Sequence, residues 1–286
     1  MQNQMRFARP ALFAAGGILL YALGAGIARF LGEVVDWRAY LLGQVCVSML
    51  QLSAIFLKDA FTVLQRPSRS AVRQAGQLHF AAAATALTIG AVMTVLLYRF
   101  GYLNPEAFLI LAVAFLLSLA YAAPPLRLCE SGYGDLANAF LVANLFPALA
   151  FLLQAGHIHR LLAMATFPLT PLFLAMMFAL GFPAYAQDVK ENRRSLLVQI
   201  GWQRSMSIHN WLLAASFLLL AVSVFFGLSW QVAWPALLAA PLALFQIWQM
   251  SQIANGLAPR WTLLVSTALA SFAVTAYLLT FAFWVG

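Results

Sequence analysis

Nine apolar runs, most of them about as long as a bilayer is thick, decide what this chain can fold into. They are Ala11–Phe30, Trp37–Leu57, Leu78–Tyr98, Ala107–Ala122 and Leu136–Leu153, then Ala163–Phe182, Ile208–Leu228, Val232–Ile253 and Trp261–Trp284. A helix needs about 20 such residues to cross the hydrocarbon layer; the fourth and fifth runs are shorter or flanked by proline. Inside lipid every backbone N–H and C=O must find a partner, so only helices or closed barrels span it. No run alternates apolar and polar residues long enough for a barrel strand. The expected fold is therefore an all-α integral membrane protein with nine transmembrane helices. Composition removes the soluble alternative: 64% of the residues are apolar and 8% charged, against about 25% charged in a soluble domain.

The net charge of +8 does not point to nucleic acid, because the basic residues sit between apolar runs and not on an amphipathic surface. Topology accounts for them. With the N-terminus inside, nine spans place Arg6, Arg9, Lys58, Arg66, Arg69, Arg73, Arg127, Lys190, Arg193, Arg194, Arg204 and Arg260 on one face, and only Arg29, Arg38, Arg99 and Arg160 on the other. That bias marks the first face as cytoplasmic. The opening MQNQMRFARP has the basic start of a signal peptide, but the run that follows has no clear small-x-small cleavage site in the usual place, so it reads as a first helix that is retained. The expected location is a prokaryotic inner membrane, multi-pass, with the N-terminus and the charged loops cytoplasmic. Cys46 and Cys129 make no disulfide or zinc framework. His157 and His159 have no carboxylate or thiol near them in sequence and read as a solvated turn. Pro147, Pro168, Pro171, Pro235 and Pro241 predict kinked helices lining a cavity.

Two stretches concentrate the charge. FPAYAQDVKENRRSLLVQIG, from Phe182 to Gly201, holds Asp188, Lys190, Glu191, Arg193 and Arg194; five of the chain's 24 charges fall within seven positions. The second run, Trp37–Leu57, ends in KDAFTVLQRPSRSAVR, with Lys58, Asp59, Arg66, Arg69 and Arg73. Spans two and six run in the same direction, so both charged ends emerge on one face. An aspartate at a membrane-helix end wants a partner or a watery cavity. Asp59 and Asp188 are candidate catalytic residues and candidate Mg²⁺ ligands against a phosphorylated substrate, because Mg²⁺ takes one or two carboxylates and completes its shell with water and phosphate oxygens. Lys58, Arg66, Arg69, Lys190, Arg193 and Arg194 are candidate diphosphate ligands, and several of them also serve as anchors against anionic lipid.

A third stretch, YAAPPLRLCESGYGDLANAF from Tyr121 to Phe140, resembles the loop after helix four of the UbiA superfamily of intramembrane prenyltransferases. Tyr121, Pro124, Pro125, Leu126, Arg127, Leu128, Gly132, Gly134, Asp135 and Leu136 fit that loop, with Asp135 replacing the usual Glu. Phe182, Pro183, Asp188, Arg193, Leu196 and Gly201 match the family's second aspartate-rich motif, with Ser195 for Thr, and Arg9–Pro10 fits its usual opening. The departures are specific. Ala184 stands where the second motif has its first aspartate, and Asn192 where it has glycine. In the first motif Lys58, Thr62 and Arg66 replace the opening Asn and two of the aspartates, so only Asp59 survives. Two carboxylates remain of the family's usual four or five.

The resemblance implies a single domain over 1–286, with pseudo-related halves of roughly 1–130 and 131–286. It implies a helical bundle around a central cavity open to the cytoplasmic side and to lipid. It also implies an activity: transfer of a polyprenyl group from an isoprenoid diphosphate to a lipid-soluble, aromatic, quinone-precursor-like acceptor. Mg²⁺ is the implied cofactor, with fewer ions than usual or none, because Lys58 and Arg66 can bind diphosphate directly. Arg127 joins the diphosphate ligands. Tyr121, Tyr185, Phe61 and Asp135 would face the prenyl chain or acceptor, the aromatics together with Phe56 by cation–π contact, and Glu130 or Asp135 would act as base. The implied partners are the polyprenyl diphosphate, the hydrophobic acceptor and membrane lipid. The alternative from another class is an eroded relative that binds an isoprenoid diphosphate or quinone, or scaffolds a partner, without turnover. A transporter is disfavoured because the mid-span positions carry almost no ionisable residues.

Overall fold

The computed structural model describes residues 2–64, 70–191 and 194–286, with side chains for 13–63, 74–191 and 194–286. Among these residues there is no strand, and nine helical spans are long and apolar enough to cross a membrane. They are α1 (Gln2–Phe30), α2 (Trp37–Leu64), α3 (Ser70–Arg99), α4 (Pro105–Ala122), α5 (Gly134–Ala155), α6 (Arg160–Lys190), α7 (Trp202–Phe225), α8 (Trp230–Ala254) and α9 (Trp261–Val285). Burial ranks them: in an apolar 18-residue stretch of each span, 83% of the residues are buried in α5 and 72% in α6, against 17% in α3. The core is therefore α5 and α6, wrapped by α1, α9 and α7, with α3 packed outside on α2.

Small residues and prolines shape that core. A Cβ at Gly24 of α1 would collide with the backbone of Pro147 in α5, so the glycine lets the two helices meet backbone to backbone. Pro147 has no N–H for the carbonyl one turn behind it, and the preceding turn, Leu141–Leu145, widens into a fully buried π-helix. Within that turn Asn144 Nδ2 donates to Thr170 Oγ1 at 2.7 Å, tying α5 to α6. In α6, Pro168 cannot serve the Met164 carbonyl. Ser223 of α7 donates to that carbonyl at 3.1 Å, and Ser216 donates to the carbonyl of Pro168 itself at 2.7 Å. α8 breaks between Leu237 and Ala240, beside Pro235 and Pro241. The helices thus widen or break beside Pro147, Pro168, Pro235 and Pro241, and at the first two the loosened turns are tied to neighbouring helices.

One end of the bundle is tied by short loops. The Asp36 carboxylate accepts from the Tyr102 hydroxyl at 2.6 Å and from the N–H groups of Arg38 and Ala39 at 2.8 and 3.2 Å. The Asp36 N–H donates to Gln154 Oε1 at 2.8 Å. Asn104 caps α4 by accepting from the Ala107 N–H and donates to the Gly156 carbonyl. The Tyr102 bond, helped by the two backbone N–H groups, holds the Asp36 carboxyl below the usual carboxylate range, and the same bond pushes the Tyr102 hydroxyl up. The three charged stretches lie at the opposite end, called here the motif end.

Candidate functional site

Both aspartate stretches are helical where the apolar runs stop. α2 continues to Leu64, so Lys58 and Asp59 sit half-buried in its closing turns. Within that helix the Thr62 hydroxyl finds its partner in the Lys58 carbonyl, to which it donates at 2.8 Å. α6 continues past Phe182 through a 3₁₀ turn, Phe182–Ala184, into Tyr185–Lys190, and this extension carries Asp188, half-buried, and Lys190, exposed. Gln187 Nε2 donates to Glu191 Oε1 at 2.6 Å across the end of that turn.

The loop between α4 and α5 joins these two helix ends. On one side it lies against α2. Leu57 of α2, Ala83 of α3 and Ala122 of α4 form a small apolar cluster with Phe61 and Tyr121 against it. The Arg127 guanidinium lies 5.9 Å from the centre of the Phe61 ring. In the same loop burial pushes the Cys129 thiol up, and the Lys58 charge pulls in the opposite direction. On the other side the loop lies against the segment after α6. Gln199 Nε2 donates to the Ser131 carbonyl at 2.7 Å and to the Arg194 carbonyl at 3.1 Å. Gly132, at φ +87°, makes that approach possible, because a Cβ there would stand 2.7 Å from Gln199 Nε2 and 3.0 Å from the Arg194 carbonyl oxygen. Ser195 starts the short helix Leu196–Ile200 by accepting from the Val198 N–H, which aims Gln199 back at the loop.

The sequence-predicted residues separate accordingly. Lys58, Phe61, Tyr121 and Arg127 come together around the α2 end, and Arg194 is brought to the same loop from α6. Arg127 has a protein partner of its own. It adopts a left-handed backbone (φ +39°), is nearly buried, and donates from Nη2 to Glu130 Oε1 at 2.6 Å. Its buried Nε has no hydrogen-bond partner among the described residues. Glu130, read as a possible base, is thus half of an ion pair. The Phe61 face is covered by Arg127. Phe56 lies 6.3 Å from His79, ring to ring, and Tyr185 packs edge-on against Trp202 at 5.3 Å. Asp135 is half-buried in the first turn of α5. Arg66, Arg69 and Arg193 lie outside the described residues, as does the Arg73 side chain. Sequence reading named Gly132 but missed Gln199 and Ser131, whose pairing across 68 positions leaves no periodic or compositional trace. Among the described residues no three His, Cys, Asp or Glu side chains gather as a metal cluster.

Comparison with known proteins places this geometry. No curated protein matches the chain. Solved structures do match it. A UbiA homologue from Archaeoglobus fulgidus bound to GPP and Mg²⁺ superposes with a TM-score of 0.67 at 15% identity, covering 99% of both chains. The same homologue bound to DMAPP and Mg²⁺ gives 0.58 at 13% identity, covering 94% of this chain and 97% of the other. A structure from work on digeranylgeranylglyceryl phosphate synthase in membranes gives 0.63 at 17% identity, covering 99% of this chain and 95% of the other. These likenesses establish the fold. The sequence model of the UbiA prenyltransferase family matches residues 12–264, and on that match the chain belongs to the UbiA prenyltransferase family.

Proposed function

We propose that the chain is a membrane prenyltransferase that moves a polyprenyl group from an isoprenoid diphosphate to a lipid-soluble aromatic acceptor, with a reduced metal site on the cytoplasmic side. One observation carries the reading. The α4–α5 loop bridges the end of α2, with Lys58 and Asp59, and the segment that follows Asp188 and Lys190 and begins at Arg194. Cationic and acidic side chains from three stretches thus share one end of an apolar bundle, where a diphosphate headgroup meets its hydrocarbon chain. The homologues solved with GPP, DMAPP and Mg²⁺ support the donor class.

In this reading Lys58, Lys190 and Arg194 neutralise the departing diphosphate, with the unclaimed Nε of Arg127 as a further donor at the edge of the site. The allylic C–O bond breaks, and the apolar surroundings keep water from the cation until the acceptor carbon attacks it. The aromatic acceptor then loses a proton, for which Asp135 and Glu130, both on the α4–α5 side of the site, are the bases in this reading; Glu130 is ion-paired with Arg127. By residue chemistry Asp59 and Asp188 would be the carboxylates for Mg²⁺, which needs only one or two from the protein when phosphate oxygens fill the rest of its shell. When bound it would supply Lewis-acid stabilisation of the leaving diphosphate. The Lys58 ammonium, where the family has Asn, adds positive charge that a metal would otherwise provide.

The test incubates purified protein in lipid or detergent with radiolabelled farnesyl or geranylgeranyl diphosphate and a panel of aromatic acceptors, with Mg²⁺ or with EDTA, and follows diphosphate release. Mg²⁺-dependent release that is lost in Asp59→Asn is the expected result. Release that survives EDTA would transfer the metal's role to the basic side chains. Saturable diphosphate binding without release would overturn the enzyme reading in favour of a binding protein, an outcome motivated by Ala184 and Thr62 at two of the family's aspartate positions.

A further inference from the structure

Away from the motif end, α3 and α4 both pack along α2 but hardly against each other. The gap is a recess of about 390 Å³. Its floor is Cys46 and Leu50 of α2, both buried; its walls include Gly90 and Thr94 of α3 and Leu111 of α4. Val95, Phe108 and Phe115 stand exposed at its rim, on the outside of the bundle and within the membrane-spanning segments. We propose that this recess binds one hydrocarbon chain of a bilayer lipid, entering sideways between α3 and α4.

Three features select that occupant. First, the wall offers a ligand no free polar side chain. The Thr94 hydroxyl donates to the Gly90 carbonyl at 3.0 Å, and the Cys46 thiol lies on the same carbonyl at 3.7 Å and on Thr94 Oγ1 at 3.5 Å. A polar ligand would be stripped of water there without compensation, whereas a hydrocarbon chain restores dispersion contacts that an empty recess forgoes. Second, the glycine is not there for close helix packing. A Cβ at Gly90 would meet nothing nearer than 3.8 Å, so what the missing side chain leaves is room. Third, the recess is the wrong size or connection for the rivals. A helix of a second copy, about 10 Å across with its side chains, does not enter a space of this volume. The isoprenoid chain of a donor bound at Lys58 and Asp59 is shut out by the cluster of Leu57, Ala83 and Ala122 with Phe61 and Tyr121, which lies between that site and the recess. Leu50 and Leu57 are two helical turns apart, about 10 Å along α2.

The experiment reconstitutes the full chain in nanodiscs of phosphatidylcholine carrying a photoactivatable diazirine in mid-chain, and maps the adducts by mass spectrometry. Adducts on 90–95 and 108–115 should exceed several-fold those on the exposed α7 positions Trp211 and Leu218, which report ordinary lipid contact. Gly90→Phe, and from the opposite wall Ala112→Phe, should each abolish the excess and leave the α7 adducts unchanged. Equal labelling of the two faces, or an excess that survives both substitutions, would reduce the recess to ordinary bilayer contact and overturn the proposal. Loss of the adducts on adding geranylgeranyl diphosphate would assign the recess to the donor chain, and cross-links between two copies would assign it to a protein interface; either result also overturns it.

Discussion

The two ends of the bundle are tied by the same device and to different purposes. At one end Asp36 gathers the α1–α2 and α3–α4 connections and the end of α5: its carboxylate accepts from Tyr102 and from the first N–H groups of α2, and its backbone N–H donates to Gln154. At the motif end the Gln199 amide gathers the α4–α5 loop and the segment after α6. The Asp36 loops are short, so little chain entropy opposes the tie, and the charge is used up in holding the structure together. The motif-end loops are longer, their tie is a neutral amide to two carbonyls, and their charged side chains are left half-buried or exposed around it. One end uses its aspartate for stability; in the function proposed above, Asp59 and Asp188 at the other serve a ligand.

Exchanging the two kinds of aspartate should separate these purposes, and the effect should be large. Asp59→Asn is expected to lower diphosphate release by about 100-fold or more, the scale of losing one electrostatic stabiliser of a developing charge, with the thermal midpoint unchanged. Asp36→Asn is expected to lower the thermal midpoint and leave release intact. Release assays and thermal unfolding on both variants measure this. A fall in release for Asp36→Asn equal to that for Asp59→Asn would dissolve the division between the ends.

A smaller effect should follow from loosening the amide tie without touching a charge. Gly132→Ala places a Cβ against Gln199 and the Arg194 carbonyl, at a φ of +87° that a side chain resists. Gln199→Leu removes the donor and keeps the bulk. Both are expected to reduce kcat/KM by about 10- to 100-fold, the cost of misplacing binding groups by an ångström or so, chiefly through KM for the diphosphate. If Gly132→Ala lowers only the thermal midpoint, the joint serves folding and does not position the site.

The division between local and distant information explains what could be read from the chain. The nine spans were legible because hydropathy over twenty residues is a local property, and the proline breaks because a missing N–H is local too. The end of α2 was not. The apolar run stops at Leu57, but the helix runs on to Leu64, so Lys58, Asp59 and Thr62 sit on a helix that hydropathy alone ends earlier. The three charged stretches were legible by residue type, yet their convergence rests on contacts such as Gln199 to Ser131 and Arg127 to Phe61 that no window contains. Arg127 is the instructive case. Its chemistry suits a phosphate ligand, but Glu130, three residues on in the same short turn, already claims its Nη2 at 2.6 Å.

The smallest effect is a pH signature confined to the Asp36 end. The Asp36 carboxyl lies below its ordinary value of 3.8, chiefly through the Tyr102 hydroxyl, so the stability it lends is present above that value and is lost as the pH falls through the lowered one. The Tyr102 hydroxyl lies above its ordinary 10.0 because it donates to Asp36, so its contribution is present below 10.0 and is lost as the pH rises through the raised value. The difference in thermal midpoint between the native chain and Tyr102→Phe should therefore be positive and flat from about pH 5 to 9, and should shrink on both sides. The pair is exposed, so the plateau should be low, a shift of a degree or two at most. Asp59→Asn, placed at the other end, should leave that profile unmoved. A profile that shifts with Asp59→Asn would mean that the two ends communicate through the bundle, and stability and binding would then have to be treated as one property of the molecule.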